Sequence, residues 1–256
     1  MKMNKTITLD KSEVYCGSLI LVNSSHPLKC AGQNDLAVAN ARFPHILMRR
    51  DAANVLELIL DKISAQNSIA LVSGYRSTEE QTAIYSNSIK ENGKAFTDKF
   101  VALPNCSEHQ TGLAIDLALN TENIDFICPD FPYDGICEDF RKAAPDYGFI
   151  ERYPKEKEEI TGISHEPWHF RYVGYPHSKI IKRNRLTLEE YTDFIKAYRE
   201  GCPLTYKGSA GKSIKIYYIP ASGEKTEIDE PQSGVYQISG NNTDGFVITV
   251  WRNYDE

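Results

Sequence analysis

The chain lacks any apolar run long enough to cross a membrane: stretches such as Leu19–Val22 fall far short of the roughly 20 residues a spanning helix needs. It also lacks a surplus of positive charge. A net charge of -6 over 256 residues argues against a nucleic-acid or anionic-membrane surface, and leaves small molecules or peptides as partners. Cysteine is sparse, with six residues and no CxxC pair, so reduced thiols are expected in preference to a disulfide framework. Met1 to Lys5 lead into Thr6, Thr8, Asp10, Lys11 and Ser12 without the apolar core of a signal peptide. A cytoplasmic location is the expectation. There is no internal repeat and no low-complexity tract. What is present, 41% hydrophobic and 25% charged residues, describes an ordinary globular chain and excludes disorder, collagen and coiled coil. The length suits one large domain, or one domain with an appendage.

Hydrophobic spacing organises the chain. Met48, Ala52, Val55, Ile59 and Ile63 recur at helical intervals and predict a helix that packs on a sheet. Ile69 to Val72 reads as a buried strand ending in Ser73-Gly74-Tyr75-Arg76-Ser77, and Ser77 with Glu80 is a capping box that opens a second helix to about Asn92-Gly93. Arg76 therefore falls at a strand-to-helix corner. Lys94 to Cys106 shows no period and reads as a loop before a strand at Leu113–Leu119. Glu138 to Tyr147 is amphipathic, and His169 to Val173 is strand-like. The alternation predicts an α+β fold: a mixed or antiparallel sheet with helices on one side, over residues 1–185. Residues 186–256 form a small extension, a helix from the Thr187 to Glu190 capping box, then strands at Ile214–Ile219, Val235–Ile238 and Phe246–Trp251, with a turn over Ser239 to Gly245. A docked extension and a separate subdomain are both compatible with this pattern.

Three histidines sit in contexts that bear on chemistry. His109 lies in a polar loop, Gly112 permits a sharp entry into the next strand, and Asp116 falls inside an otherwise apolar stretch. A carboxylate there is costly unless it is paired or bound to a cation, so it is either satisfied by backbone N–H groups or an arginine, or it is a metal or catalytic carboxylate. His165-Glu166-Pro167-Trp168-His169 has the letters of HExxH, but Pro167 would break the helix that puts both histidines on one face. Glu166 is instead expected on a turn before a strand, with His169 pointing inward and His165 spare. His109, Asp116 and His169 together supply two imidazoles and a carboxylate, three ligands that leave a fourth position for water, as a catalytic zinc needs. Glu166 is then the natural general base.

Ser107, His109, Gly112, Ala114 and Asp116, followed about 50 residues later by Glu166, Trp168 and His169 and preceded by Ser73 to Ser77, resemble the zinc D,D-peptidases of the VanX, VanY and VanXY group over roughly residues 10–180. Leu21 to Leu28 is also similar to the opening strand of the VanY-like members. The resemblance implies one catalytic Zn2+ on His109, Asp116 and His169, Glu166 as base, and Arg76 polarising the scissile carbonyl. It further implies that Ser107 and Gln81 hold the substrate's terminal carboxylate. The expected partners are D-Ala-D-Ala and muramyl pentapeptide precursors ending in D-Ala-D-Ala, with no nucleic acid and no membrane span. The expected result of cleavage is glycopeptide resistance. A carboxypeptidase alone, an L,D-endopeptidase, and a zinc-bearing binding module are the alternatives. His45 and His177 match no motif and are expected on the surface. Ser88 to Cys106 is the candidate wall that sets the choice between dipeptide and pentapeptide. The tail from about Arg185 is left as a lid, a homodimer contact or scaffold.

Overall fold

The structure is a computed structural model that describes residues 5–30, 35–208, 213–231 and 235–252. Two units are distinguished, Val22–Leu188 and a second made of Met1–Leu21 with Glu189–Glu256. No helix among the described residues is long and apolar enough to cross a membrane. The N-terminal strand β1 (Thr6–Asp10) belongs to the second unit.

In the larger unit, β2 (Leu36–Val38) and β3 (Leu47–Arg49) pair as a short antiparallel ladder and lead into α1 (Arg50–Lys62). The stripe on α1 is centred slightly off the expected line: Ala52, Ala53, Leu56, Ile59 and Leu60 are buried, whereas Val55 and Ile63 are half-buried at its margin. After β4 (Ile69–Ser73), the capping box forms as expected: Ser77 Oγ accepts from Glu80 N at 3.1 Å and Glu80 Oε2 accepts from Ser77 N at 2.7 Å. It starts α2 (Thr78–Asn92), which ends at Gly93 with φ 81°, a conformation glycine adopts without strain. Ser77→Ala is expected to cost about 1 kcal/mol of stability, because it strips one of these two satisfied helix-end donors. Denaturant unfolding with an unchanged slope would check it.

The loop expected at Lys94–Cys106 is in its first half a helix, α3 (Lys94–Phe100). Periodicity could not reveal it, since a seven-residue helix presents two turns at most. Its anchor is polar: the buried Thr97 hydroxyl lies 2.8 Å from Ser88 Oγ and donates to Gly93 O at 3.0 Å. The unit continues with β5 (Ala114–Leu119), α4 (Gly135–Ala143), β6 (Phe149–Tyr153), α5 (Glu158–Thr161), β7 (Glu166–Tyr172) and α6 (His177–Asn184). The sheet order is β4-β5-β7-β6, and every neighbouring pair is antiparallel.

Alternation sorts the two faces of this sheet. Ile69, Leu71, Ile115, Leu117, Phe149 and Phe170 join Leu56 and Ile59 of α1 and Phe140 of α4 in one apolar core. Asp116, His169, Arg171 and Arg152 have the opposite parity and share the other face. The helix-covered face is thus stability, and the polar face is where chemistry can be placed. His177, expected on the surface, is buried at the start of α6, and burial pulls its imidazole down to about 3.

In the second unit α7 (Leu188–Ile195) leads to β8 (Leu204–Lys207), β9 (Ser213–Pro220), β10 (Lys225–Asp229), β11 (Val235–Gly240) and β12 (Gly245–Arg252). The four-stranded sheet runs β11-β12-β9-β8, and the expected turn is held by Asn241 Oδ1, which accepts from the N–H groups of Thr243, Asp244 and Gly245. β10 pairs antiparallel with β1, from Thr6 opposite Asp229 to Asp10 opposite Lys225. A boundary drawn at residue 185 leaves β1 with the wrong part of the chain, since strand pairing over more than 200 residues has no local signal. Leu21 to Leu28 forms no strand, only an isolated bridge between Asn23 and His26, whose backbone N–H bonds to Asn23.

Candidate active site

The polar face is built by register. Asp116 of β5 lies directly opposite His169 of β7, so both side chains rise from the same face of adjacent strands. A shift in the β4–β5 ladder between Leu71 and Ser73 brings Ser73 opposite Asp116. A second shift, between Glu151 and Tyr153, pairs Tyr153 with Glu166 and makes Glu166 the first residue of β7 rather than part of a preceding turn. Bulges of this kind re-aim side chains, and these two deliver Glu166 to the cleft and Ser73 to the guanidinium of Arg76 that lines it. His109 arrives from a short 3-10 turn, Glu108–Thr111, which ends at Gly112 with φ 71°. A Cβ on Gly112 would meet Arg49 N at 3.0 Å, so the entry needs glycine for both backbone conformation and space.

His109 Nε2 is 3.0 Å from Asp116 Oδ2, and His169 Nδ1 is 2.9 Å from Asp116 Oδ1. All three residues are buried, and their ligand atoms lie within 4.8 Å of one another, a group that could hold a metal ion. His109 Nδ1 donates to Gly74 O at 2.7 Å, which turns the unprotonated Nε2 towards Asp116. Gly74 is itself constrained: a Cβ there would sit 2.3 Å from Leu47 O. Glu166 Oε2 stands 3.7 Å from His169 Nδ1. His165 faces elsewhere, stacked on the Tyr133 ring with Nε2 2.7 Å from its hydroxyl.

Arg76 reaches the same point from the strand-to-helix corner. Its Nη2 donates to Asp116 Oδ2 at 3.0 Å, Nε to Ser73 Oγ at 2.8 Å and Nη1 to Gln81 Oε1 at 3.4 Å, while Phe126 lies under the guanidinium. Ser107, Tyr153 and Trp168 complete the cleft wall. Gln81 does not face the cleft. It is fully buried and spends its amide on Ala102 O at 2.7 Å and on Arg76, so its visible work is to hold the arginine.

Burial and crowded charge set the titrations. Burial raises the Glu166 carboxyl to about 8, Asp116 and Glu108 adding to the rise while His169 and Arg76 oppose it. Burial also pulls on both imidazoles. For His109, burial and then Arg76 lower it to about 4, against the pull of Asp116. For His169, Asp116, Glu108 and Glu166 outweigh burial and raise it to about 9. Asp116 is held well below the usual carboxylate range, because the two histidines more than offset its burial.

One residue of the cleft has no advance signal. Glu108 is 1% exposed, although it stands in a polar stretch, Ser107-Glu108-His109-Gln110, that reads as solvated loop. Only the fold shows that it is buried against Arg152 and Arg171.

An antiparallel α+β sheet with two imidazoles, a carboxylate, a further buried carboxyl and an arginine in one cleft defines a peptidase of the metal-dependent type. The chain belongs to the D-alanyl-D-alanine carboxypeptidase family VanY, whose model matches residues 45–175. It is 46% identical over 180 residues to the bifunctional D-Ala-D-Ala dipeptidase and D-Ala-D-Ala carboxypeptidase VanXYC of Enterococcus gallinarum, covering 70% of this chain and 95% of that one. Among solved structures it is similar to the vancomycin resistance D,D-dipeptidase VanXYg in complex with a D-Ala-D-Ala phosphinate analogue. The TM-score is 0.96 at 65% identity, over 98% of this chain and all of the other. It is also similar to a mutant of the vancomycin resistance D,D-pentapeptidase VanY in complex with Zn(II), with a TM-score of 0.56 and 31% identity over 68% of this chain and 98% of that one.

Proposed function

We propose that this chain is a zinc-dependent D,D-peptidase that cleaves the terminal D-Ala-D-Ala bond of peptidoglycan precursors, both as the free dipeptide and at the end of the muramyl pentapeptide, and so confers glycopeptide resistance. The observation that carries the reading is Asp116 directly opposite His169, with His109 Nε2 3.0 Å from the same carboxylate and Glu166 3.7 Å from the His169 ring. Two nitrogens and one oxygen, buried and within reach of a single ion, suit zinc and leave a position open, as catalysis requires. Zinc bound by His109, Asp116 and His169 supplies Lewis acidity and lowers the pKa of a water towards about 7.

The chain's own groups carry the proton and the charge. Glu166 Oε takes the proton from the attacking water as its oxygen adds to the scissile carbonyl carbon. The same oxygen returns that proton to the leaving amine nitrogen as the C–N bond breaks, giving free D-Ala and the shortened product. Arg76 has five N–H donors, and three are committed to Ser73, Gln81 and Asp116. The others are available to the carbonyl oxygen as negative charge builds on it. Ser107, buried in the cleft wall, is the candidate donor to the terminal carboxylate, and Gln81 acts through Arg76. The wall towards the rest of a longer peptide includes Phe100, Val101 and Ala102 from the end of α3 and beyond, a helix-anchored segment in place of a free loop. The six cysteines are all free thiols, which suits a reducing, cytoplasmic compartment.

Arg76→Lys is expected to lower kcat by about 10²- to 10³-fold with zinc content unchanged, since a point charge cannot reproduce the planar fork that spans three partners at once. A rate near that of the parent would remove Arg76 from the mechanism. The function itself is tested by incubating the protein with D-Ala-D-Ala and, separately, with a pentapeptide ending in D-Ala-D-Ala, and measuring free D-Ala. Release from both is expected. Release from the pentapeptide alone would restrict the activity to a carboxypeptidase, and release from neither would reject the reading.

A further inference from the structure

Glu108 is buried with two arginines that are themselves fully buried, an arrangement that needs a reason. Its Oε1 accepts from Arg152 Nε at 2.8 Å and from Arg171 Nη1 at 2.8 Å. Arginine and carboxylate ordinarily meet as a two-pronged pair that uses both oxygens. Here both arginines converge on one oxygen, and Oε2 is left pointing at the His169 ring, 3.7 Å from Nε2. Neither Oε2 nor Nε2 has a hydrogen-bond partner, and both atoms are shut away from solvent. A buried carboxylate oxygen and a buried ring nitrogen without partners are each costly, and they face each other across a gap somewhat longer than a hydrogen bond.

The other histidine of the site shows what such a contact does. His109 uses Nδ1 on Gly74 O, and this leaves Nε2 to face Asp116. His169 is turned the opposite way, with Nδ1 towards Asp116 and Nε2 towards Glu108. Metal-binding histidines as a rule donate the N–H they do not use to a carboxylate or carbonyl, which selects the tautomer and aims the ring. We infer that Glu108 is a positioning residue for zinc: Oε2 accepts from His169 Nε2–H and so presents Nδ1 to the ion, while Arg152 and Arg171 hold the carboxylate in place. This inference rests on the proposed zinc site.

The geometry behind it is specific to the sheet. Arg171 follows His169 by two residues on the same face of β7, and Arg152 comes from the neighbouring strand β6. Glu108 immediately precedes His109 in the 3-10 turn. One short turn therefore carries a proposed ligand and the group that aims a second, and movement of that turn disturbs both. A buried ion triad is weak evidence for stability alone, because apolar residues of similar volume often serve as well.

The test is zinc affinity measured by competition with a chromophoric chelator, together with the thermal midpoint of the zinc-free protein. Glu108→Asp keeps the charge against Arg152 and Arg171 but withdraws the carboxylate by one methylene. It is expected to fold and to bind zinc about 10- to 100-fold more weakly. Glu108→Gln keeps the length. With its amide oxygen claimed by the arginines, its NH2 faces a ring N–H, and a loss at least as large is expected. A role confined to stability would lower the zinc-free midpoint and leave affinity unchanged. Affinities within about twofold of the parent in both folded variants would overturn the inference. If neither single variant folds, Glu108→Met combined with Arg152→Met and Arg171→Met, which leaves no charge of the triad unpaired, is judged by the same thresholds. A parent protein that takes up no zinc overturns the metal reading and this inference with it, whereas a parent that binds zinc beside unchanged variants overturns only the role of Glu108.

Discussion

Glu166→Gln is expected to retain its zinc and its fold while kcat falls by about 10²- to 10⁴-fold, the usual contribution of a positioned general base. The amide matches the carboxyl in size, so the start of β7 and its pairing with Tyr153 are undisturbed. What disappears is the ability to hold a proton between the attack on the carbonyl and the departure of the amine. Glu166 suits that task because burial raises its proton affinity, to about 8, and because its oxygen lies close to the His169 ring without being one of the three grouped ligand atoms. Zinc stoichiometry and circular dichroism of the variant, measured beside its turnover of D-Ala-D-Ala, separate this from misfolding. A rate within a few fold of the parent would show that another group moves the proton.

His169→Ala is expected to abolish stoichiometric zinc binding and activity together, and exhaustive chelation of the parent protein should do the same reversibly. Removing one of three ligands leaves an imidazole and a carboxylate, too few for a stable catalytic site, and also leaves Asp116 facing an empty position in a buried cleft. His165→Ala is the control. Its imidazole is engaged with Tyr133, so that variant should keep its metal. Full zinc in His169→Ala would remove His169 from the metal site, whereas loss of zinc in His165→Ala with retention in His109→Ala would mean that His165 to His169 form a metal-binding helix in place of a strand. The antiparallel pairing of Glu166–Tyr172 makes that outcome unexpected.

Local chemistry carried a large part of this protein in its sequence. The capping box at Ser77 and Glu80, the glycine stop at Gly93, the turn at Asn241 and the veto of Pro167 on a helical HExxH are each decided by a few neighbouring residues, and each is found where those residues place it. The grouping of His109, Asp116 and His169 was legible for a related reason: a buried carboxylate in an apolar strand is costly, and two inward histidines are the chemistry that relieves it. The helix α3 was not legible, because seven residues are too few for a period to emerge.

What only the tertiary structure decided depends on residues far apart. The pairing of β1 with β10, the ladder shifts that turn Glu166 into the cleft and Ser73 towards Arg76, and the burial of His177 and Gln81 have no local cause. Glu108 shows the reason most clearly. In the sequence it is a charged residue in a polar turn, like any solvated glutamate. It acquires its surroundings from Arg152 and Arg171, 44 and 63 residues away, and from His169 opposite them. The sequence determined which groups could do chemistry, since that follows from residue type and spacing. The fold alone determined which of them are stripped of water and aimed at one another, since desolvation and register are properties of the assembled sheet.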